Sequence, residues 1–140
     1  MIDPMTKLAR LSPDGLAFVT DRHLATLSTI APDGSIHVVA VGFTVEQRGP
    51  GEFVARIITS GPSQKVRNVE RSVIATIGQV EGPQWLSLAG TAEILRDPES
   101  VADAVERYAA RYRQPQPNPL RVVIAITVTK VLGSAGLLEK

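Results

Sequence analysis

The chain has 140 residues, 44% of them hydrophobic, which is enough for one domain with a real core. Its 15 Lys and Arg against 14 Asp and Glu leave a formal charge of +1, without the basic excess of a nucleic-acid binder that works by bulk charge. The absence of cysteine excludes disulfides, thiol nucleophiles and cysteine-held metals, and it fits a reducing compartment.

Met1 to Arg10 contain no apolar stretch of the signal-peptide kind, and no apolar run approaches the ~20 residues that span a bilayer. The sequence therefore reads as a soluble cytoplasmic protein. A short helix opens at Ser12, a good N-cap followed by Pro13, with Leu16, Ala17 and Val19 beginning its apolar face. His23 to Ile30 alternates as a strand. Pro32-Asp33-Gly34 has hairpin chemistry and leads into Ser35 to Glu46, one long strand so apolar that both its faces are expected to be covered. A turn at Gln47 to Gly51 precedes a third strand, Glu52 to Thr59.

At Ser60-Gly61-Pro62-Ser63 the period changes, and Val66, Val69 and Val73 mark one face of a short helix. Val73 to Val80 is a strand, turned at Glu81-Gly82-Pro83 into Trp85 to Leu95. Asp97-Pro98 starts the clearest helix, with Val101, Val105, Tyr108 and Tyr112 at helical spacing. Gln114 to Pro119 is an extended crossing, and Arg121 to Leu132 a long last strand. Six antiparallel strands and three short helices over residues 1–140 predict a single mostly-β domain, a closed or partly closed barrel. It carries more apolar strand face than one small barrel covers, which calls for a partner subunit.

The chemical inventory is thin. Neither a serine triad, nor a metal cage, nor a phosphate-binding glycine loop can be read from the residues. Such a chain can still catalyse if a bound cofactor carries the reaction. The candidate site is Ser60 to Asn68, where a strand runs into a helix whose first amides suit a phosphate. Ser63 and Gln64 can donate hydrogen bonds and Lys65 adds a charge; equally, Ser63 is an ordinary N-cap and Lys65 a solvated lysine. Trp85, the only tryptophan, could line a planar ligand or sit at the rim of the core. His37 reads as a hydrogen-bonded structural histidine in an apolar strand. Arg56, Lys65, Arg67 and Arg71 are the cations that could meet an anionic substrate.

Three stretches resemble the pyridoxamine-phosphate-oxidase-like split barrels, within them the B group of flavin/deazaflavin oxidoreductases. They are His37-Val38-Val39-Ala40-Val41-Gly42-Phe43, Thr59 to Asn68 with its Lys65-Val66-Arg67-Asn68, and Gln84 to Glu93 with Gly90-Thr91-Ala92-Glu93. The resemblance implies a six-stranded split barrel, homodimeric, with two equivalent cofactor sites. It implies reduced coenzyme F420 as hydride donor and biliverdin, or a similar conjugated tetrapyrrole, as acceptor. The cofactor would lie across the second and third strands, touching His37, Val38, Val39, Ala40, Thr59, Ser60 and Asn68, with its phosphate at Ser63, Gln64 and Lys65. Gln79 and Trp85 would come from the other subunit, and Gly133 to Gly136 would close near the ring. No catalytic side chain and no metal are expected. FMN in an oxidase is the alternative cofactor, and an F420 carrier or sensor without turnover the alternative role.

Overall fold

The computed structural model describes residues 10–139, so the reading of Met1 to Arg10 falls outside the described residues except for Arg10. Helix α1 (Pro13–Phe18) opens as expected: the Ser12 hydroxyl accepts from the Gly15 amide at 3.1 Å, and proline occupies the first turn. The strands are β1 (Ala25–Ile30), β2 (Ile36–Val41), β3 (Thr44–Gly49), β4 (Glu52–Ser60), β5 (Ile74–Glu81), β6 (Gln84–Leu95) and β7 (Arg121–Gly133). Helix α2 (Gln64–Arg71) lies between β4 and β5, and α3 (Pro98–Arg111) between β6 and β7. Residues Ala135–Leu137 add a 3-10 turn that the pattern did not announce. Among the described residues no helix is long and apolar enough to cross a membrane.

Among the described residues the sheet has seven strands, not six, in the order β2-β1-β5-β6-β7-β4-β3, and every neighbouring pair is antiparallel. The expected single strand from Ser35 to Glu46 is broken at Gly42-Phe43. Its halves β2 and β3 sit at opposite ends of the sheet although only two residues separate them. The chain itself therefore bridges the two sheet ends, and no hydrogen-bonded ladder zips β2 to its counterpart. This is a split barrel.

The barrel interior is one register row after another: Leu27 opposite Val39 and Ile77, Ile77 opposite Leu88, Leu88 opposite Val131. Leu27, Ile77 and Leu88 are buried, each such side chain contributing ~1.5–3 kcal/mol. Val66 and Val69 of α2 are also in the core, but Val73 lies beyond the helix and is exposed. The expectation that Ser35 to Glu46 is covered on both faces fails within one chain, because Ile36 and Val38 point outward and stand exposed. A bulge between Ala89 and Gly90 bends β6 against β7, and a Cβ at Gly90 would lie 1.9 Å from the Thr127 carbonyl oxygen.

Helix α3 is capped by Asp97, whose carboxylate accepts from the Ser100 amide at 3.0 Å. It docks on β3 and β4 through ions. Arg56, buried on β4, donates to Glu46 of β3 at 2.9 Å, and Arg107 of α3 reaches Glu46 at 3.2 Å and Asp103 at 3.0 Å. The hydrogen bond from Arg56 holds the Glu46 carboxyl below the ordinary glutamate range. A carboxyl depressed in the folded state adds stability that is complete above its unfolded value, about 4.3, and is lost as pH falls through the lower folded value. Melting temperatures taken from about pH 6 down to about pH 3 should therefore fall more steeply for the native protein than for Glu46→Gln, which starts lower and flatter. Parallel curves would detach Glu46 from acid stability.

Candidate functional site

The Gly42-Phe43 break is held by the end of α3. The Phe43 amide donates to the Tyr112 hydroxyl at 3.1 Å, and that hydroxyl donates to the His23 carbonyl at 2.7 Å. Arg111 donates to the Phe43 carbonyl at 2.6 Å and its guanidinium lies over the Phe43 ring. Burial raises the Tyr112 hydroxyl above the usual tyrosine range, so it stays protonated as a donor at neutral pH. A Cβ on Gly42 would lie 3.0 Å from the Tyr108 ring and 3.1 Å from that of Tyr112, so any side chain there would push both rings back from the break.

Beside this break lies a cleft of about 360 Å³, between the free edge of β2 and the end of β4. Ala40, Val41 and Gly42 form one side and Ile58, Thr59 and Ser60 the other. Lys65 of α2, Tyr108 of α3, Pro115 and Asn118 of the crossing, and Arg121 of β7 complete it. Among the described residues two cations and no carboxylate line this cleft, so it suits an anion. Lys65 is in no ion pair among the described residues, and burial lowers the pKa of its ammonium.

The first turn of α2 is prepared in the same sense. Its N-cap Ser63 makes no side-chain cap, and the Ser63 hydroxyl is buried without a hydrogen-bond partner among the described residues. The leading amides of the helix are therefore not satisfied by a cap, and their partial positive charge points outward. A buried hydroxyl, uncapped amides and a desolvated lysine together fit a phosphate group, which offers acceptor oxygens and negative charge.

Of the residues singled out by sequence, Ala40, Thr59, Ser60 and Lys65 meet in this cleft, while Ser63, the N-cap two residues before Lys65, is not among its lining residues. His37, Val38 and Val39 lie along β2, which among the described residues pairs with β1 alone, so part of its backbone hydrogen-bonding capacity faces the split. The His37 Nδ1 is buried with no partner. Gln64 spends both ends of its amide inside the helix, donating to Asn68 at 2.7 Å and accepting from Arg67 at 2.7 Å. Asn68 is fully buried and donates to Thr29 at 3.1 Å, which makes it a fastener between α2 and β1.

Gln79 and Trp85 do not join the cluster within one chain. Gln79 is buried, donating to the Phe18 carbonyl at 2.6 Å and accepting from Arg111 at 2.9 Å. Trp85 stands on the outer face of the sheet, tied by its amide to Ser134 at 3.0 Å. The segment after Gly133 lies against α1: the Ser12 hydroxyl donates to the Gly136 carbonyl at 2.8 Å. Three expected cations face elsewhere. Arg56 serves Glu46, Arg67 donates to the Pro62 carbonyl at 3.2 Å, and Arg71 bonds the Ile30 carbonyl. Arg121, Tyr108 and Asn118 were missed; Tyr108 was visible only as one step of a helical stripe, and Arg121 as the start of a strand.

A lysine whose charge is desolvated without a partner costs folding free energy, because the unfolded chain binds the proton more readily. Lys65→Met, which keeps the stem and removes the charge, should melt at or above the native temperature near neutral pH. A large loss of melting temperature would mean that Lys65 holds the fold rather than waits for a ligand.

A sequence profile described as pyridoxamine 5'-phosphate oxidase matches residues 11–135. The chain is 53% identical over 131 residues to the F420H(2)-dependent biliverdin reductase of Mycobacterium tuberculosis (strain CDC 1551 / Oshkosh), covering 94% of this chain and 93% of that protein. Among solved structures it resembles an F420 reductase at 25% identity with a TM-score of 0.68, over 86% of this chain and 98% of that one. The conserved protein Rv2991 of Mycobacterium tuberculosis is also 25% identical, with a TM-score of 0.72 over 92% and 89% of the two chains.

Proposed function

The chain belongs to the pyridoxamine 5'-phosphate oxidase family, and from that membership we propose that it is an F420H2-dependent reductase whose acceptor is biliverdin or a similar conjugated tetrapyrrole. The observation that carries the reading is the Lys65 cleft, with the orphaned Ser63 hydroxyl at the start of the same helix, in a chain 53% identical to a reductase of that name. When bound, the reduced deazaflavin supplies the hydride. The protein's part is to bind and orient.

Lys65, the Ser63 hydroxyl and the first amides of α2 take the phosphate. Arg121 adds charge at the other side of the cleft. The free edge of β2, from His37 to Ala40, offers backbone groups to a planar ring, and Tyr108 over Gly42 gives the cleft a flat wall. The cleft is open to solvent, which supplies the proton that completes reduction of the acceptor. The whole chain acts as one deazaflavin-binding unit in the cytoplasm.

The second subunit of the reading rests on the outer sheet face. Ile36, Val38, Ile74, Val80, Trp85 and Leu132 are all exposed, and the register puts them on the side opposite the barrel core: Val80 faces Trp85, and Val38 faces Ser28. Small residues lie between them, Gly78 beside Thr26 and Ser87, and Ala89 beside Thr76. A flat apolar face of this kind marks a protein interface. Ala40 lies on the same face of β2 as Val38 and also lines the cleft, so a second copy seated there would border the cofactor.

With F420H2 under anaerobic conditions the protein should convert biliverdin to bilirubin as F420H2 absorbance falls. Lys65→Met should weaken F420 binding about 10- to 150-fold, the effect of one lost charge-assisted contact to phosphate. Binding of FMN in preference to F420 would turn the assignment to a flavin oxidase. F420 binding without turnover of biliverdin would move it to another acceptor or to a carrier.

Light scattering should give twice the monomer mass, and Val38→Glu should halve it while leaving the circular dichroism spectrum intact. A native monomer at micromolar concentration would remove the second subunit from the reading.

A further inference from the structure

We propose that Tyr112, which does not line the Lys65 cleft, is a positioning residue for it, its hydroxyl fixing the break that keeps β2 apart from β4. The inference rests on the reading of that cleft as the cofactor site. Phe43 sits where the chain passes from one end of the sheet to the other, so its amide has no strand partner. The Tyr112 hydroxyl accepts from that amide at 3.1 Å and donates to the His23 carbonyl at 2.7 Å, just before β1. One oxygen thus ties the break to the strand beside β2.

The Tyr112 ring also backs a cleft wall. It lies 4.8 Å from the Tyr108 ring, centroid to centroid, and both rings approach the place where Gly42 lacks a Cβ. Gly42 and Tyr108 line the cleft. Without the hydroxyl the buried Phe43 amide is left unpaired, and the segment gains by moving toward any other acceptor. Each such rearrangement changes the width of the split. Ligand affinity then falls in proportion to the fraction of molecules that keep the competent width.

Tyr112→Phe removes only the oxygen and retains the ring contact with Tyr108. F420 affinity, measured well below the melting temperature so that every molecule is folded, should weaken about 5- to 50-fold. Turnover at saturating F420H2 should be retained, so the loss appears in KM. An unchanged dissociation constant beside a lowered melting temperature would overturn the proposal, since that is what a merely structural hydroxyl does. Amide exchange of the native protein, without ligand, gives a second readout that survives failure of the variant to fold. The Phe43 amide should exchange as slowly as the amides of Leu27 and Ile77, and exchange at loop rates would overturn the proposal. If native protein fails to bind F420, the cofactor reading falls, and a fast Phe43 amide in Tyr112→Phe beside slow Leu27 and Ile77 amides still decides whether the hydroxyl holds the break.

Discussion

Between Val41 and Thr44 the chain leaves one end of the sheet and enters the other, and the peptide groups of Phe43 must find partners outside any ladder. An unpaired buried peptide group costs ~1–3 kcal/mol, so a break of this kind survives only where other groups replace the lost strand. The end of α3 does so: Tyr112 takes the amide and Arg111 the carbonyl. Everything else in the architecture depends on this substitution. It converts one strand into two sheet edges, leaves β2 with a free side, and opens the space that Lys65 enters. Arg111 reaches further, to the Asp21 carbonyl and to Gln79, and so ties the ends of α1, β5 and α3 around the same point.

The charges divide into two environments with opposite design. On the outside of β3 and β4, Arg56 and Arg107 meet Glu46 and Asp103, and the charges compensate one another. That cluster docks α3 and leaves little field for a ligand. In the split, Lys65 and Arg121 line a cleft with no carboxylate among the described residues, beside a helix start without a side-chain cap. A folded chain accepts such an arrangement at some cost in stability, and the usual return is affinity for an anion. The near-neutral total charge conceals this difference, because it sums over both environments.

What the sequence made legible follows from what each residue type signals. Ser12-Pro13 and Asp97-Pro98 are caps whose chemistry is local, and both helices begin where those residues put them. Lys65 after Gly61-Pro62-Ser63 is likewise local, a strand end and a helix start, and the structure places it in a cleft. The break at Gly42-Phe43 is not local. Apolar periodicity continues through it, and only contact with Tyr108 and Tyr112, far along the chain, explains the glycine. The same is true of Arg121 and Asn118, which arrive from the far end of the chain; the Asn118 amide donates to the Ser60 hydroxyl at 2.7 Å. Arg56 misled for the converse reason: a cation in a strand of otherwise apolar residues looks like a ligand for an anion until its carboxylate partner, ten positions earlier, is seen across the β3–β4 ladder.

Gln79 and Trp85 mark the limit of reasoning within one chain. Gln79 faces the barrel interior and is fully engaged there, so it can reach a ligand only by giving up the bonds to Phe18 and Arg111. Trp85 is free of such ties on its ring and lies with Val80 and Leu132 on the apolar outer face. In the proposed dimer that face is covered, and β2 belongs both to the contact, through Ile36 and Val38, and to the cleft, through Ala40. Ile36, Val38 and Ala40 share one face of β2, so the strand cannot shift for the contact without moving that side of the cleft. Subunit association would thus stiffen the free edge of β2, the side of the cleft that lacks a neighbouring strand. The break in the chain and the apolar outer face would then be two halves of one solution: the first opens the cleft, and the second holds its open side in place.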